Sequence, residues 1–389
     1  MKVVTILFVH QSAELYGSDK VLLELVRGLK NTRYRAIVAV PYHGPLVHEL
    51  RAIGVETHVV PLAKVTRATL SLKGLLTLPR NLLKSLGAIN NLVGKRTIDL
   101  VHSNTLAVLS GAAWARLHKI PHLWHVHELI VSPTVVRKGF PFLLRLFADR
   151  VVCNSTMTKN WVLSEQACLA DRTITIWNGV ERNSPPKQTS AIDFRQRVLG
   201  ANGEDVIVVL VGRFNRLKGQ SVLVDAATRL WNLGIRNVRY VMVGSPPPGQ
   251  EHFLQRLEER VKRSPARENL MILEFMEDIW QVWDASDVAV VPSTEPESFG
   301  LVAIEAMAAQ KPVIAAAHGG ILDIVEDGVT GLLTTPGDSK ALADALLTLI
   351  RDPNIRTRMG IAGQKRQRKF FSLDAQRDST LKCYLSMTQ

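Results

Sequence analysis

Cysteine is scarce in this chain: Cys153, Cys168 and Cys383 are the only three in 389 residues, and no pair has CxxC spacing. That excludes a disulfide framework and a thiolate zinc site, and it fits a reducing compartment. No apolar run approaches the ~18 residues of a membrane-spanning helix. No D-x-D occurs, nor any His, Asp or Glu cluster with metal-ligand spacing, and there is no GxxxxGK[ST], which excludes a P-loop. Aromatic residues make up only 6% and do not interleave with the basic ones, so the high isoelectric point does not point to nucleic acid.

What the sequence does have is length and an ordinary globular balance, with 46% hydrophobic and 21% charged residues. A chain of this size exceeds what one core usually supports, so two domains are expected. The net charge of +13 is unevenly spread. Residues 1–182 carry 23 Lys and Arg against 11 Asp and Glu, whereas residues 183–389 carry 25 against 24. A basic first half suits a phosphorylated substrate or an anionic surface.

The hydrophobic pattern alternates strands and helices throughout. Val3–Val9 is a continuous apolar run and reads as a buried first strand rather than a signal peptide, since no small-residue cleavage pattern follows it. Arg35–Val40, Glu56–Val60, Asp99–His102, His122–His127 and Val151–Asn154 follow as strands, with helical spacing between them. Asn183 to Ser190 is polar and proline-bearing, a linker. A second series then supplies strands at Asp205–Val211, Tyr240–Val243, Asn269–Leu273, Val288–Val291 and Pro312–Ala315. The expectation is an α/β protein with two doubly wound parallel sheets: residues 1–182, residues 183–371, and a last helix at 372–389 crossing back to the first domain. Such an arrangement binds ligands in a cleft at the carboxyl ends of the strands.

Three segments carry chemistry. Gly212-Arg213-Phe214-Asn215-Arg216-Leu217-Lys218-Gly219 follows a buried strand, and Arg213 and Lys218 beside a helix start suit a diphosphate. The alternative is two solvated basic residues on a loop. Glu297-Ser298-Phe299-Gly300-Leu301 opens a helix that carries Glu305, placing two carboxylates where they suit hydroxyl-rich ligands. The alternative is two surface glutamates. His318-Gly319-Gly320 again follows a strand and lets the backbone approach a ligand closely, although a plain turn would look the same.

Taken in order, these segments resemble the retaining glycosyltransferases of family 4, which have the GT-B fold of two Rossmann-like domains facing across a cleft. The matching parts are G-R-x-x-x-x-K-G at Gly212 to Gly219, P-S followed by E-x-F-G-x-x-x-x-E-A-M-A at Pro292 to Ala308, P-V-I-A followed by Gly-Gly at Pro312 to Gly320, and the tail from Asp323 to Leu333. The resemblance implies that Arg213 and Lys218 hold the donor diphosphate, Glu305 the nucleotide ribose, and Glu297 the donor sugar. Ser298, Phe299, Gly300 and Leu301 would line sugar and phosphate, and Phe275 would lie where the base is read. Gly17, in Tyr16-Gly17-Ser18-Asp19, would be the family's glycine loop. His127, in Trp124-His125-Val126-His127-Glu128, would be its sugar-contacting histidine, with His125 as second candidate. Two departures stand out: Gln310 where the family usually has glycine, and Asp323 for the commoner glutamate.

The resemblance further implies a hexosyltransferase that retains anomeric configuration, with a nucleoside-diphosphate sugar as donor and a glycan or lipid-linked acceptor, as in polysaccharide biosynthesis. With no D-x-D, the diphosphate charge is expected to be met by Arg213, Lys218 and helix starts, without metal or other cofactor. A nucleotide-sugar epimerase or another GT-B enzyme is the alternative, although an epimerase would not need the Arg213, Lys218, Glu297 and Glu305 set. Between Glu56 and Asp99 lie seven basic residues (Lys64, Arg67, Lys73, Arg80, Lys84, Lys95, Arg96) and no acidic one, interleaved with leucines from Leu70 to Leu86. Such a stretch, with 135–145 as a second, could lie on an anionic bilayer, giving a cytoplasmic protein peripheral to the inner face of the membrane. Core-facing helices with solvated basic faces are the alternative.

Overall fold

The computed structural model describes residues 2–66, 69, 71–182 and 188–389. The chain divides into two units, Met1–Gly179 with Leu373–Gln389, and Val180–Ser372. The expected linker falls largely on 183–187, outside the described residues.

In the first unit the strands are β1 (Val4–His10), β2 (Tyr34–Val40), β3 (Glu56–Val59), β4 (Leu100–Asn104), β5 (His122–Val126), β6 (Arg150–Cys153) and β7 (Thr173–Thr175). They form one sheet in the order β3-β2-β1-β4-β5-β6-β7, with every pair parallel. Side chains alternate between faces along a strand, so a sheet covered by helices on both sides needs apolar residues at every position. The first strand meets that demand: Ile6 and Phe8 enter one core, while Leu7 and Val9 enter the other. The helix Leu373–Met387 completes the first of these cores, where Cys383 and Tyr384 are buried.

In the second unit β8 (Val206–Val211), β9 (Val238–Val243), β10 (Leu270–Leu273), β11 (Val288–Val291), β12 (Val313–Ala316) and β13 (Gly331–Thr334) pair in the order β10-β9-β8-β11-β12-β13, again all parallel. Two strands escaped the sequence reading. β7 is three residues of Thr-Ile-Thr, and β13 begins on glycine, so neither has an apolar run to mark it.

Each sheet has one place where the winding reverses, between β1 and β4 in the first and between β8 and β11 in the second. Helices leave on opposite faces there, which opens a crevice at the carboxyl ends of the strands where such sheets bind ligands.

Candidate functional site

Most of the residues singled out by sequence lie in loops at or next to these two reversal points, and Phe275, beyond the edge strand β10, does not. In the second unit the loop after β8 carries Arg213 and Lys218, and the loop after β11 carries Glu297. Lys218 Nζ lies 2.9 Å from Glu297 Oε1. The Ser293 hydroxyl donates to the same carboxylate oxygen, and His318 Nε2 donates to the Ser293 carbonyl at 2.9 Å. Burial pushes the Glu297 carboxyl up, but Lys218, Ser293 and His318 together more than offset it and hold it below the ordinary range. Glu297 is therefore a carboxylate at neutral pH, able to accept hydrogen bonds but with no proton to give.

Close backbone packing fixes these loops. A Cβ on Gly219, whose φ is +74°, would stand 2.0 Å from the Pro292 carbonyl oxygen. One on Gly319, φ +71°, would stand 2.4 Å from the Glu297 carbonyl, and Gly320 N donates to that same carbonyl at 2.7 Å. The Gly-Gly pair thus packs directly under the glutamate loop, which is why side chains are missing there. The helix Leu301–Ala308 starts on Gly300, and Glu305 sits half-buried upon it. Ser298 and Leu301 are also half-buried, and Arg213 is exposed. Phe299 differs from its neighbours: its side chain is buried against Phe371, so only its backbone can meet a ligand. Phe275 is 61% exposed in the loop after β10, with its backbone N–H donating to Ser245 Oγ at 3.2 Å.

In the first unit the register sets His10 opposite Asn104 and Asn104 opposite His125, three strands contributing to one row. His127 follows just beyond β5, with Nε2 at hydrogen-bond distance, 3.0 Å, from Asn104 Oδ1. Asn104 Nδ2 donates to the Ser18 carbonyl at 3.3 Å, so one side chain ties the histidine to the glycine loop. Gly17 opens the helix Gly17–Gly28, and Asp19 caps it by accepting from Tyr16 N at 2.9 Å. His10 Nε2 lies 2.6 Å from Asp19 Oδ1, and Ser12 donates to that same oxygen. Burial would raise the Asp19 carboxyl, but His10 with the Ser12 and Tyr16 donors brings it below its usual value.

His125 stacks on His127 with ring centroids 4.0 Å apart, and neither of its ring nitrogens finds a partner among the described residues. Burial first, and neighbouring histidines second, hold His102, His125 and His127 well below the ordinary imidazole value, so these rings are neutral. Asp19, Ser293 and His318 stand inside motifs that the sequence marked but gave no role of their own, and His10 and Asn104 stand outside them. His10 and Asn104 end apolar strands, a faint signal. Only the sheet register shows that they are neighbours.

Among the described residues no group of three or more His, Cys, Asp or Glu is arranged to hold a metal ion.

Two family models cover most of the chain. "Glycosyltransferase Family 4" matches residues 16–184, and "Glycosyl transferases group 1" matches residues 192–366. An uncharacterized glycosyltransferase of Methanocaldococcus jannaschii is 28% identical over 291 residues, 72% of this chain and 73% of that one. The D-inositol 3-phosphate glycosyltransferase of Thermobifida fusca is 33% identical over 285 residues, and the match spans 68% of this chain and 64% of the relative. Among solved structures, Anabaena HepE in complex with UDP and glucose superposes with a TM-score of 0.82 at 26% identity, covering 98% of this chain and 99% of HepE. The same protein in complex with UDP-glucose gives 0.83. Two parallel Rossmann-like sheets, motifs at both reversal points and matches along both units make this chain a member of the family 4 glycosyltransferases, with the GT-B fold.

Proposed function

We propose that the protein is a retaining, metal-independent transferase that moves a sugar from a nucleoside-diphosphate sugar to a hydroxyl of a glycan or lipid-linked acceptor. The observation that carries this reading is the Lys218–Glu297 pair in its glycine-packed loops. A lysine beside an ionised glutamate offers two complementary contacts, a cation for phosphate oxygens and a carboxylate for sugar hydroxyls. Arg213 and Lys218 meet the charge that builds on the diphosphate as the sugar leaves. Glu297, lacking a proton, orients the sugar and does not act as an acid. His127 presents a neutral ring to a sugar hydroxyl. The HepE complexes with UDP and UDP-glucose make a uridine donor the first to try.

The test is thermal stabilisation by UDP, GDP, ADP and dTDP in EDTA, on the wild type and on Lys218→Ala. A ligand that binds only the folded state raises stability by mass action, so a shift with one diphosphate names the base. Loss of that shift in Lys218→Ala supports the diphosphate at this lysine, and no shift with any nucleotide overturns the donor-site reading.

The acceptor side of the proposal includes a membrane surface. No described helix is long and apolar enough to cross a bilayer. The helix Leu72–Val93 nevertheless exposes Leu76 and Leu83 beside Lys73, Arg80 and Lys84, and the helix Thr134–Phe147 exposes Val135, Phe142 and Leu146 beside Lys138 and Arg145. Arg67 and Leu70 lie outside the described residues. Apolar and basic groups on one exposed face, without acidic ones, suit peripheral attachment to anionic lipid at the cytoplasmic side. Flotation with anionic liposomes at low salt should carry the protein upward, and failure to float overturns the attachment.

A further inference from the structure

The geometry points to Asn104 as a positioning residue that locks His127 in one tautomer, with the proton on Nε2 and a bare Nδ1 that accepts a hydrogen bond from a sugar hydroxyl. This rests on the reading of His127 as a sugar-facing residue.

The direction of each bond follows from what its partner can do. The Ser18 carbonyl only accepts, so the amide edge of Asn104 facing it at 3.3 Å is the NH2 group. The other edge, Oδ1, then only accepts, and His127 Nε2 opposite it at 3.0 Å must carry hydrogen. Reversing the amide would set Oδ1 against the Ser18 carbonyl, two acceptors facing each other in a fully buried side chain; in the observed orientation Nδ2 also stands 3.1 Å from His10 Nδ1. A neutral imidazole has one N–H, so Nδ1 is left as a lone pair. His127 Nδ1 has no partner among the described residues, although the residue is only 8% exposed.

The groups around the ring favour the neutral form. His125 from β5, His10 from the end of β1 and His102 from β4 disfavour a further positive charge, and burial disfavours it most. Asp19 from the helix Gly17–Gly28 pulls the other way, but its carboxylate is engaged with His10 and Ser12. The carboxyl of Glu128 accepts from the backbone N–H groups of His127 and Leu106 rather than from the ring.

The experiment uses the full chain labelled with 15N-histidine and long-range proton–nitrogen correlation between pH 6 and 8, with His127 assigned by its loss in His127→Gln. The wild type should show a neutral ring protonated at Nε2 throughout. Asn104→Leu should show Nδ1–H signal, and Asn104→Asp, whose side chain still accepts at the same place, should restore Nε2–H. A wild-type ring protonated at Nδ1, or at both nitrogens, overturns the proposal whether or not the variants fold. So does a folded Asn104→Leu that keeps pure Nε2–H. With the donor named by the thermal-shift panel, Asn104→Leu should raise donor KM about tenfold, the loss of one good hydrogen bond, and leave stabilisation by the bare diphosphate intact. An unchanged KM overturns the sugar contact. A failed nucleotide panel would instead count against the donor site and leave the tautomer result standing.

Discussion

At the reversal point of the first unit four imidazoles lie together, His10, His102, His125 and His127, with three of them neutral and deeply buried. At the reversal point of the second unit a lysine and a glutamate face each other, partly exposed, in loops packed backbone to backbone. The same sheet topology thus supports two chemistries. One crevice presents uncharged rings packed among buried neighbours, and the other presents full charges on loops held by glycine. The first should be vulnerable to protons and the second to added carbon atoms.

The largest expected effect tests the first half of that contrast. Burial holds His102, His125 and His127 well below the ordinary value and brings His122 down to about 4. An unfolded histidine titrates near ~6.5. As pH falls below that point the unfolded chain binds protons that the folded rings refuse, so stability falls with pH, by about 1.4 kcal/mol per unit for each such histidine. The loss begins at about pH 6.5 and, for His122, continues to about pH 4. Hydrogen exchange at pH 7.5 and pH 5.5 should show the first unit losing protection well before the second. Equal loss in both would break the comparison.

Next comes Gly319→Ala, which puts a methyl 2.4 Å from the Glu297 carbonyl at a positive φ. A cost of roughly 3 kcal/mol is expected, with nucleotide-dependent stabilisation lost even in molecules that remain folded. Thermal melts with and without diphosphate measure both. A mutant that melts and binds like wild type would mean these loops are not held by close packing.

Lys218→Ala should cost less, about 1–2 kcal/mol, because the pair is 25% and 16% exposed and water screens what the lysine leaves behind. The pH dependence of that loss has a definite sign. The Glu297 carboxyl is held down in the folded protein, so the pair stabilises above the unfolded value near ~4.3 and ceases to do so as pH falls through the lower folded one. Urea midpoints of wild type and mutant should therefore differ at pH 7 and converge in strong acid. A constant difference would assign the lysine's effect to packing.

The smallest effect concerns Gln310, which adopts φ +59° where family members usually have glycine. Side chains are strained in that region, and the Gln310 amide recovers a bond to Gln364 at 2.9 Å. Gln310→Gly should raise stability by about 0.5 kcal/mol, offset in part by the greater freedom of glycine in the unfolded chain. Calorimetry would show a small rise in Tm confined to the second unit's transition.

The contrast also explains what the sequence could disclose. The second crevice is made of contiguous motifs: Arg213 and Lys218 share one loop, and Glu297 and Glu305 one loop and helix, each flanked by glycines that announce close packing. The alternation of apolar runs likewise marks eleven of the thirteen strands among the described residues, all but β7 and β13. The first crevice is assembled across strands. His10, Asn104 and His127 are far apart in the chain and meet only through parallel register, which no local pattern encodes. Phe299 shows the opposite limit, since its place in a motif says nothing about whether its ring turns inward to Phe371.

The helix Leu373–Met387 has a consequence for the order in which the protein can be made. Tyr384 is buried in the first core, and its hydroxyl meets His102 Nδ1 at 2.7 Å. During synthesis, residues 1–179 leave the ribosome with that position open, and it stays open while the whole second unit is translated. At ~5–20 residues per second the delay is about 10–40 seconds, an interval in which the first unit is an unfinished product dependent on a segment not yet born.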